Sequence, residues 1–384
     1  MNMKKIVCMA TSPWYPIPTR KQQVMSRIPD AEILYFDPSV TYLAPLKDKA
    51  ARKNIKAYKQ AGVKPQENIT VYSLPPVLPF FAKSRLINKI NQKKIARYVS
   101  KRMAQHGFAD ATLWVYSPVT CDAVDHIPHQ ALVYDCVDRH SAYGGLMNPA
   151  LIDAMEEDLA KKSSAVFATA AGLAERLEAF NPKTKFIPNG ANYERFVQAA
   201  EELSCPEDMQ AIPKPIFGFV GALQPCIEYG YVQAAAKARP DWSFVFIGGE
   251  KPGSDFLDLK TLPNVHFLGM KPNEKLPEYI SNFDACLNLF ASGDLSKDVS
   301  PLKFYEYLAT GKPIVSTPQP DQILQYAPII HVAADEEAFI AACEASLADT
   351  QPERKAARVE EGRKSSWDSR VAQICEELKK LGIF

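Results

Sequence analysis

The sequence predicts an α/β protein made of two parallel-sheet domains. Three observations carry that reading. Apolar runs of strand length alternate with helical stretches along the chain, the signature of parallel sheets covered by helices. The 384 residues are enough for two domains of ordinary size. A polar stretch over 189–215, holding Glu201, Glu202 and three prolines, divides the runs into two sets and reads as an interdomain hinge.

In chain order, the first set of strand-like runs lies at 6–10, 33–36, 69–74, 113–116, 131–137, 166–169 and 185–188. The second lies at 216–221, 244–248, 265–269, 285–290, 314–317 and 329–332. Two similar halves are implied. The C-terminal segment, about 353–381, reads as one or two helices, with Trp367 expected to pack into a domain seam.

Composition sets the bounds. At 47% hydrophobic and 23% charged the chain is globular, not disordered. No apolar run reaches the ~18–20 residues of a transmembrane helix. Residues 1–10 read as a first strand and lack the long apolar region and cleavage site of a signal peptide. The eight cysteines are scattered without metal-ligand spacing, so reduced structural thiols are expected and no metal site is indicated. The net charge of +1 hides an asymmetry. Residues 1–110 carry twenty Lys/Arg against six Asp/Glu, and the remainder twenty-five against thirty-eight. One half therefore faces something anionic. No nucleic-acid motif is present, and the acidic half argues against wrapping a polyanion.

The most informative stretch is Ser300-Pro301-Leu302-Lys303-Phe304-Tyr305-Glu306-Tyr307-Leu308-Ala309-Thr310-Gly311-Lys312-Pro313-Ile314-Val315. Ser300 is placed to N-cap a short helix, Pro301 fits its first position, and Gly311 fits a left-handed stop. A buried strand follows at 313–317. Lys303 and Glu306 share one face near the positive helix end. Alone, such a pair is ordinarily a solvated ion pair. Beside exposed backbone N–H groups it suits a nucleoside diphosphate, with Lys303 on phosphate and Glu306 accepting from ribose hydroxyls.

This stretch resembles the donor-sugar motif of GT-B glycosyltransferases, in which a helix carrying Glu runs into Ala-x-Gly-x-Pro-x-Val. Asp298 stands eight residues before Glu306, where the retaining family 4 enzymes have the first Glu of a paired-Glu motif. The resemblance extends along the chain. Trp14 with Arg20-x-Gln22-Gln23 is similar to the N-terminal signature of bacterial surface-polysaccharide glycosyltransferases. So are Tyr134-Asp135-Cys136-Val137-Asp138, Ile187-Pro188-Asn189-Gly190, Gly218-Phe219-Val220-Gly221-Ala222-Leu223 and Arg239-Pro240-Asp241-Trp242. The family so marked is similar to teichuronic-acid-type transferases, and more distantly to the xanthan glucuronosyltransferase.

The resemblance implies a GT-B fold, two Rossmann-like domains with parallel sheets facing across a cleft. It implies an acceptor domain at 1–190, rejoined by the C-terminal helix, and a donor domain at 191–384. Donor contacts would come from Ser300, Pro301, Leu302, Lys303, Glu306 and Asp298, and from the Gly221-Ala222-Leu223 turn. The turn at Met270 would lie by the nucleobase. Many family 4 enzymes have Arg and Lys after that glycine, where this chain has Ala222 and an uncharged stretch before Glu228. The phosphate load would then shift to Lys303 and backbone N–H groups. Glu228 itself reads as a cap for the next helix.

Asp138, at the end of a buried run, matches the general base of an inverting relative. An Asp capping the next turn is the competing reading. Asp135, inside the strand, reads as bound to a structural partner. His140 is a rival base or an acceptor ligand, and Trp14 and Arg20 would also face the acceptor. The implied substrates are a nucleotide sugar, UDP-linked by preference, and a polyprenyl-diphosphate-linked or glycan acceptor, with no cofactor and no metal. An aromatic loop at 74–82 precedes a basic stretch, 83–102, with eight Lys/Arg and no acid. Leu86, Ile87, Ile90, Ile95, Val99 and Met103 would form its apolar stripe, suiting the anionic cytoplasmic face of the cell membrane. A core helix with a solvated basic face is the plainer alternative. Inversion is slightly favoured over retention. A nucleotide-sugar 2-epimerase of the same fold and a non-catalytic bilobal sugar-binding protein remain the alternatives.

Overall fold

The computed structural model describes residues 3–47, 55–142, 147–201, 204–254, 256–293 and 296–384. They form two compact units, one of Met1–Pro188 with Val371–Phe384 and one of Asn189–Arg370.

The first unit opens with β1 (Lys4–Met9), α1 (Arg20–Met25), β2 (Ala31–Asp37), α2 (Ala44–Lys47), β3 (Val63–Gln66) and β4 (Ile69–Ser73). It continues through α3 (Arg85–His106), β5 (Thr112–Val115), β6 (Ala131–Cys136), α4 (Pro149–Lys162), β7 (Ala165–Ala168), α5 (Ala171–Glu178) and β8 (Thr184–Phe186). The sheet order is β3-β4-β2-β1-β5-β6-β7-β8. Only β3 is antiparallel, and it is the strand that the apolar runs did not announce. Its Val63-Lys64-Pro65-Gln66 is short and mostly exposed, and a proline is tolerated in a sheet at such an edge. Next to β1 the chain order reverses direction across the sheet. A crevice therefore opens beyond the C-terminal ends of β1 and β5, where α/β sheets place ligands.

The second unit runs α6 (Tyr193–Glu201), β9 (Ile216–Val220), α7 (Tyr229–Ala238), β10 (Ser243–Ile247), β11 (Val265–Gly269), α8 (Leu276–Ser281) and β12 (Ala285–Asn288). Then come α9 (Leu302–Thr310), β13 (Ile314–Ser316), β14 (His331–Val332), α10 (Glu336–Leu347), α11 (Pro352–Lys364) and α12 (Trp367–Lys380), which crosses into the first unit's residues. Its sheet is wholly parallel, in the order β11-β10-β9-β12-β13-β14. The reversal here falls between β9 and β12.

Three expectations are corrected. The stretch 189–215 is not a free hinge. It opens the second unit with α6, because Phe196 and Met209 are buried with Ala191 in that unit's core. The polar residues that suggested a linker include its outer face, such as exposed Glu194. Helix α9 starts at Leu302, with Pro301 in the N-cap position, and Ser300 does not cap it. Instead the Ser300 hydroxyl accepts from the Asn189 N–H at 3.1 Å, and its carbonyl accepts from Asn189 Nδ2 at 3.0 Å. The expected stop is there, with Gly311 in the left-handed region. On α3 the apolar stripe splits, since Ile95, Val99 and Met103 are buried while Leu86 is 70% and Ile90 52% exposed. The buried face at that end is taken by amides, Asn88, Asn91 and Gln92. Among the described residues no helix is long and apolar enough to cross a membrane.

Candidate functional site

In the second unit, β9 leads into Gly221, which has φ of 145°. The turn is pinned by Gly221 N–H to Ile247 O and Leu223 N–H to Gly249 O, both at 2.9 Å. Leu223 is buried and Ala222 exposed, so the loop is anchored by one side chain and open at the next. Gly248 lies directly behind it. A Cβ there would fall 1.8 Å from Gly221 O, so only glycine lets the two turns meet.

The helix facing this turn is α9. Phe304, Tyr305, Tyr307 and Leu308 are its core positions. The Val220 N–H donates to the Tyr307 hydroxyl at 2.8 Å, locking α9 to the end of β9. That register leaves Lys303 and Glu306 at the margin of the buried face. Lys303 Nζ lies 3.7 Å from the Phe219 ring centroid and 4.7 Å from that of Phe290. It would stand 3.6 Å from a Cβ placed on Gly221. The lysine head is thus held by two aromatic faces against the glycine turn. Burial lowers its pKa to about 7, opposed by the charges of Cys226 and Glu306. Burial raises Glu306 to about 7, opposed by Arg195 and Lys303. Asp298 is buried nearby in sequence, and Leu302 is exposed. Met270 is exposed beside Gly249, where an added Cβ would come 3.1 Å from its sulfur. Glu228 caps α7 by accepting from the Gly230 N–H at 3.2 Å. Sequence reasoning missed Phe219, Phe290 and Arg195, which read as core or surface until the fold brings them to Lys303 and Glu306.

In the first unit, Asp138 stands exposed just past β6. Asp135, inside that strand, is fully buried and meets Arg20 Nε at 2.9 and 3.1 Å. Arg20 Nη1 also donates to the Ile187 and Pro188 carbonyls, each at 3.1 Å. The guanidinium expected at the acceptor is therefore engaged inside the fold, because a buried aspartate needs a cation. Trp14 is buried too, its ring edge-on to Tyr35 and its backbone N–H donating to Asp37 Oδ1 at 2.8 Å. Its place is structural. His140 Nε2 lies 3.0 Å from Tyr116 O, and burial lowers its pKa, so the ring is neutral near pH 7. Lys21 was not singled out by sequence reasoning. It is buried over the Tyr116 ring at 5.5 Å, and burial lowers its pKa against the pull of Asp138 and Asp135.

Two Rossmann-like units, each with a parallel sheet and a topological crevice, define a GT-B fold. Residues 214–349, which lie in the second unit, match the family model for glycosyl transferases group 1. The chain resembles sucrose-phosphate synthase from Thermosynechococcus elongatus, with TM-score 0.67, 15% identity and 99% of both chains covered. It also resembles E. coli trehalose-6-phosphate synthase bound with UDP-2-fluoro glucose, with TM-score 0.71, 11% identity and 98% and 99% of the chains covered. HepE from Anabaena, in complex with UDP, gives TM-score 0.66 at 14% identity over 98% of this chain and all of that one. In sequence, the chain is 30% identical over 215 residues to TuaH of Bacillus subtilis, a protein named as a teichuronic acid biosynthesis glycosyltransferase. That match covers 54% of this chain and 53% of TuaH, about half the length of each.

Proposed function

We propose that the chain transfers a hexosyl or hexuronosyl group from a UDP-sugar to a lipid-linked or glycan acceptor in bacterial surface-polysaccharide synthesis. The observation that carries this reading is Lys303 Nζ held against the Gly221 turn, with Glu306 one helical turn on. A cation and a backbone turn at the C-terminal end of β9 suit a diphosphate, and a carboxylate beyond them suits a ribose. The group 1 domain at 214–349, the name of TuaH and the UDP ligands of the structural neighbours all support it.

In this reading the acceptor hydroxyl gives its proton to Asp138 as its oxygen bonds to the anomeric carbon. The carbon–oxygen bond to UDP breaks, and UDP leaves with that electron pair, its charge balanced by Lys303 and helix α9. Inversion follows from a single displacement. The protein would work peripherally at the inner face of the cell membrane, where a polyprenyl-linked acceptor is found.

Calorimetry with UDP tests the donor half. Lys303→Ala should weaken UDP binding by about 1.5–3 kcal/mol, the range for a hydrogen bond to a charged group. Asp138→Asn should leave UDP affinity intact and slow acceptor-dependent UDP release by about 10²–10⁴-fold. Unchanged UDP affinity in folded Lys303→Ala would sink the donor assignment. Near-native turnover in Asp138→Asn would remove that carboxylate from the chemistry.

A further inference from the structure

The first unit holds a buried charge that the proposed chemistry does not use. Lys21, in the first turn of α1, is 8% exposed, and a lysine is rarely buried without a partner. Its Nζ makes no hydrogen bond and no ion pair with any described residue, and lies 5.5 Å from the centroid of the Tyr116 ring. Arg20 beside it is already committed, because Asp135 and the Ile187 and Pro188 carbonyls hold that guanidinium. The Tyr116 hydroxyl and Arg20 Nη2 are sealed from solvent without a partner, whereas Lys21 Nζ is not sealed. The lysine is thus buried along its stem and open at its tip.

The sheet sets where this tip lies. Tyr116 directly follows β5, and Asp138 stands two residues beyond β6, so both mark C-terminal strand ends, the edge where α/β sheets place ligands. Asp138 is the acid whose charge acts most strongly on Lys21, and the charge of Lys21 acts in turn on His140. His140 lines a cavity of about 230 Å³ at the same edge, with Thr11 after β1 and Ser117 and Thr120 after β5. Hydroxyls and an imidazole suit a sugar ring. The lysine whose charge reaches them suits an anionic oxygen.

The charge is held at a cost to the fold. Burial lowers the Lys21 pKa although Asp138, Asp135 and Cys8 raise it, and Arg20 adds to the fall. A lysine pKa lowered by folding means that its charged form is less stable in the native unit than in the unfolded chain. A lysine that served only to tie elements together through an ion pair would carry the opposite sign. An anion brought to the open tip supplies the missing counter-charge.

We infer that Lys21 binds an anionic oxygen of the acceptor, a sugar phosphate or a uronate carboxylate, and so holds the acceptor with its reacting hydroxyl toward Asp138. This rests on the reading that the first unit receives the acceptor and that Asp138 takes its proton. It adds that the acceptor carries a negative charge close to the hydroxyl that reacts.

The test titrates the full chain with glucose 1-phosphate, methyl glucuronide, methyl glucoside and inorganic phosphate, followed by NMR. At least one of the two sugar anions should bind about tenfold or more tightly than methyl glucoside. A preference for the phosphate identifies the phosphate end of a lipid-linked acceptor, and one for the glucuronide a uronate within a glycan. Lys21→Met should remove that preference, Lys21→Arg should keep part of it, and UDP affinity should hold in both. With no probe present, the urea midpoint of Lys21→Met should equal or exceed that of the parent, because a charge that costs stability has been removed. A lower midpoint, or a variant that unfolds, would mark a structural lysine and overturn the inference. So would a preference that survives in Lys21→Met, sugar anions that bind no better than the neutral glucoside, or inorganic phosphate that matches them. If UDP binds the parent and the sugar anions do not, this assignment fails alone. If the sugar anions bind through Lys21 and UDP does not bind, the glycosyltransferase reading fails and the anion site stands.

Discussion

Lys303 and Glu306 titrate in the same region, each brought to about 7 by burial from opposite directions. The signs give a testable pH dependence. Above pH 7 free Lys303 loses its proton, and a bound diphosphate must restore it, so UDP binding takes up a proton and weakens as pH rises. Below pH 7 Glu306 is protonated, and ribose hydroxyls that need its carboxylate must expel that proton. UDP affinity should therefore peak near pH 7, with proton uptake at pH 8 seen by calorimetry in buffers of different ionisation enthalpy. Lys303→Met should erase the uptake, and Glu306→Gln should leave it. Heats at pH 8 that are independent of the buffer would exclude this account. At the other buried pair, Asp135→Asn leaves Arg20 charged and without its carboxylate. Removing one partner of a buried ion pair costs about 3–5 kcal/mol, so the urea midpoint of the first unit should fall while UDP affinity holds.

At the scale of elements, the proposed donor site depends on two glycine turns meeting without side chains between them. Gly248→Ala would put a methyl 1.8 Å from Gly221 O at a φ of 154°. Gly269→Ala shares the positive φ but meets nothing within 4 Å. The second change should cost about 1 kcal/mol of backbone strain alone, within the range for a non-glycine residue held in this region. The first must also part the two turns, so UDP binding should be lost in Gly248→Ala and kept in Gly269→Ala. Equal affinity in the two variants would mean that the turn contact does not shape the site. Helix α9 is seated in the same manner from behind. A Cβ on Gly362 of α11 would fall 2.6 Å from Ala309 Cα, so the two helices touch through their backbones. That seat, with the Tyr307 bond to Val220, sets where Lys303 points.

For the whole molecule, the charge asymmetry is the property that no single element explains. The basic excess of residues 1–110 is concentrated on α3, where Lys89, Lys93 and Arg97 are exposed beside Leu86 and Ile90. Leu78 and Phe80 of the preceding loop are exposed as well, Phe80 with φ of 64°. Apolar side chains among lysines suit an anionic lipid surface, the peripheral location proposed above. Vesicles containing anionic lipid should retain the protein at low salt and release it at high salt, since exposed charges are screened beyond ~8–10 Å at physiological ionic strength. Charge reversal at Lys89, Lys93 and Arg97 should reduce retention without altering UDP affinity. Equal retention on neutral vesicles would refute the electrostatic part.

The sequence by itself determined the two parallel-sheet halves, because strand-length apolar runs and helix stops such as Gly311 are local signals that survive without a fold. It also singled out Lys303, Glu306 and Asp138, since a helix start and a strand end are legible in the chain. Three things were decided only in three dimensions. Arg20 was chosen for its motif, yet the buried charge of Asp135, 115 residues away, claims it. Phe219 and Phe290 look like core strand residues until β9 and the segment after β12 converge on Lys303. The amides of α3 read as a polar break in a stripe, and the packing turns them inward, Asn88 and Asn91 bonded to backbone carbonyls and Gln92 to Asn88. Periodicity records which residues are buried near their neighbours in sequence. Which distant charge, ring or unpaired atom they meet is set by the tertiary fold, because the free energy of a buried polar group depends on the partner brought to it.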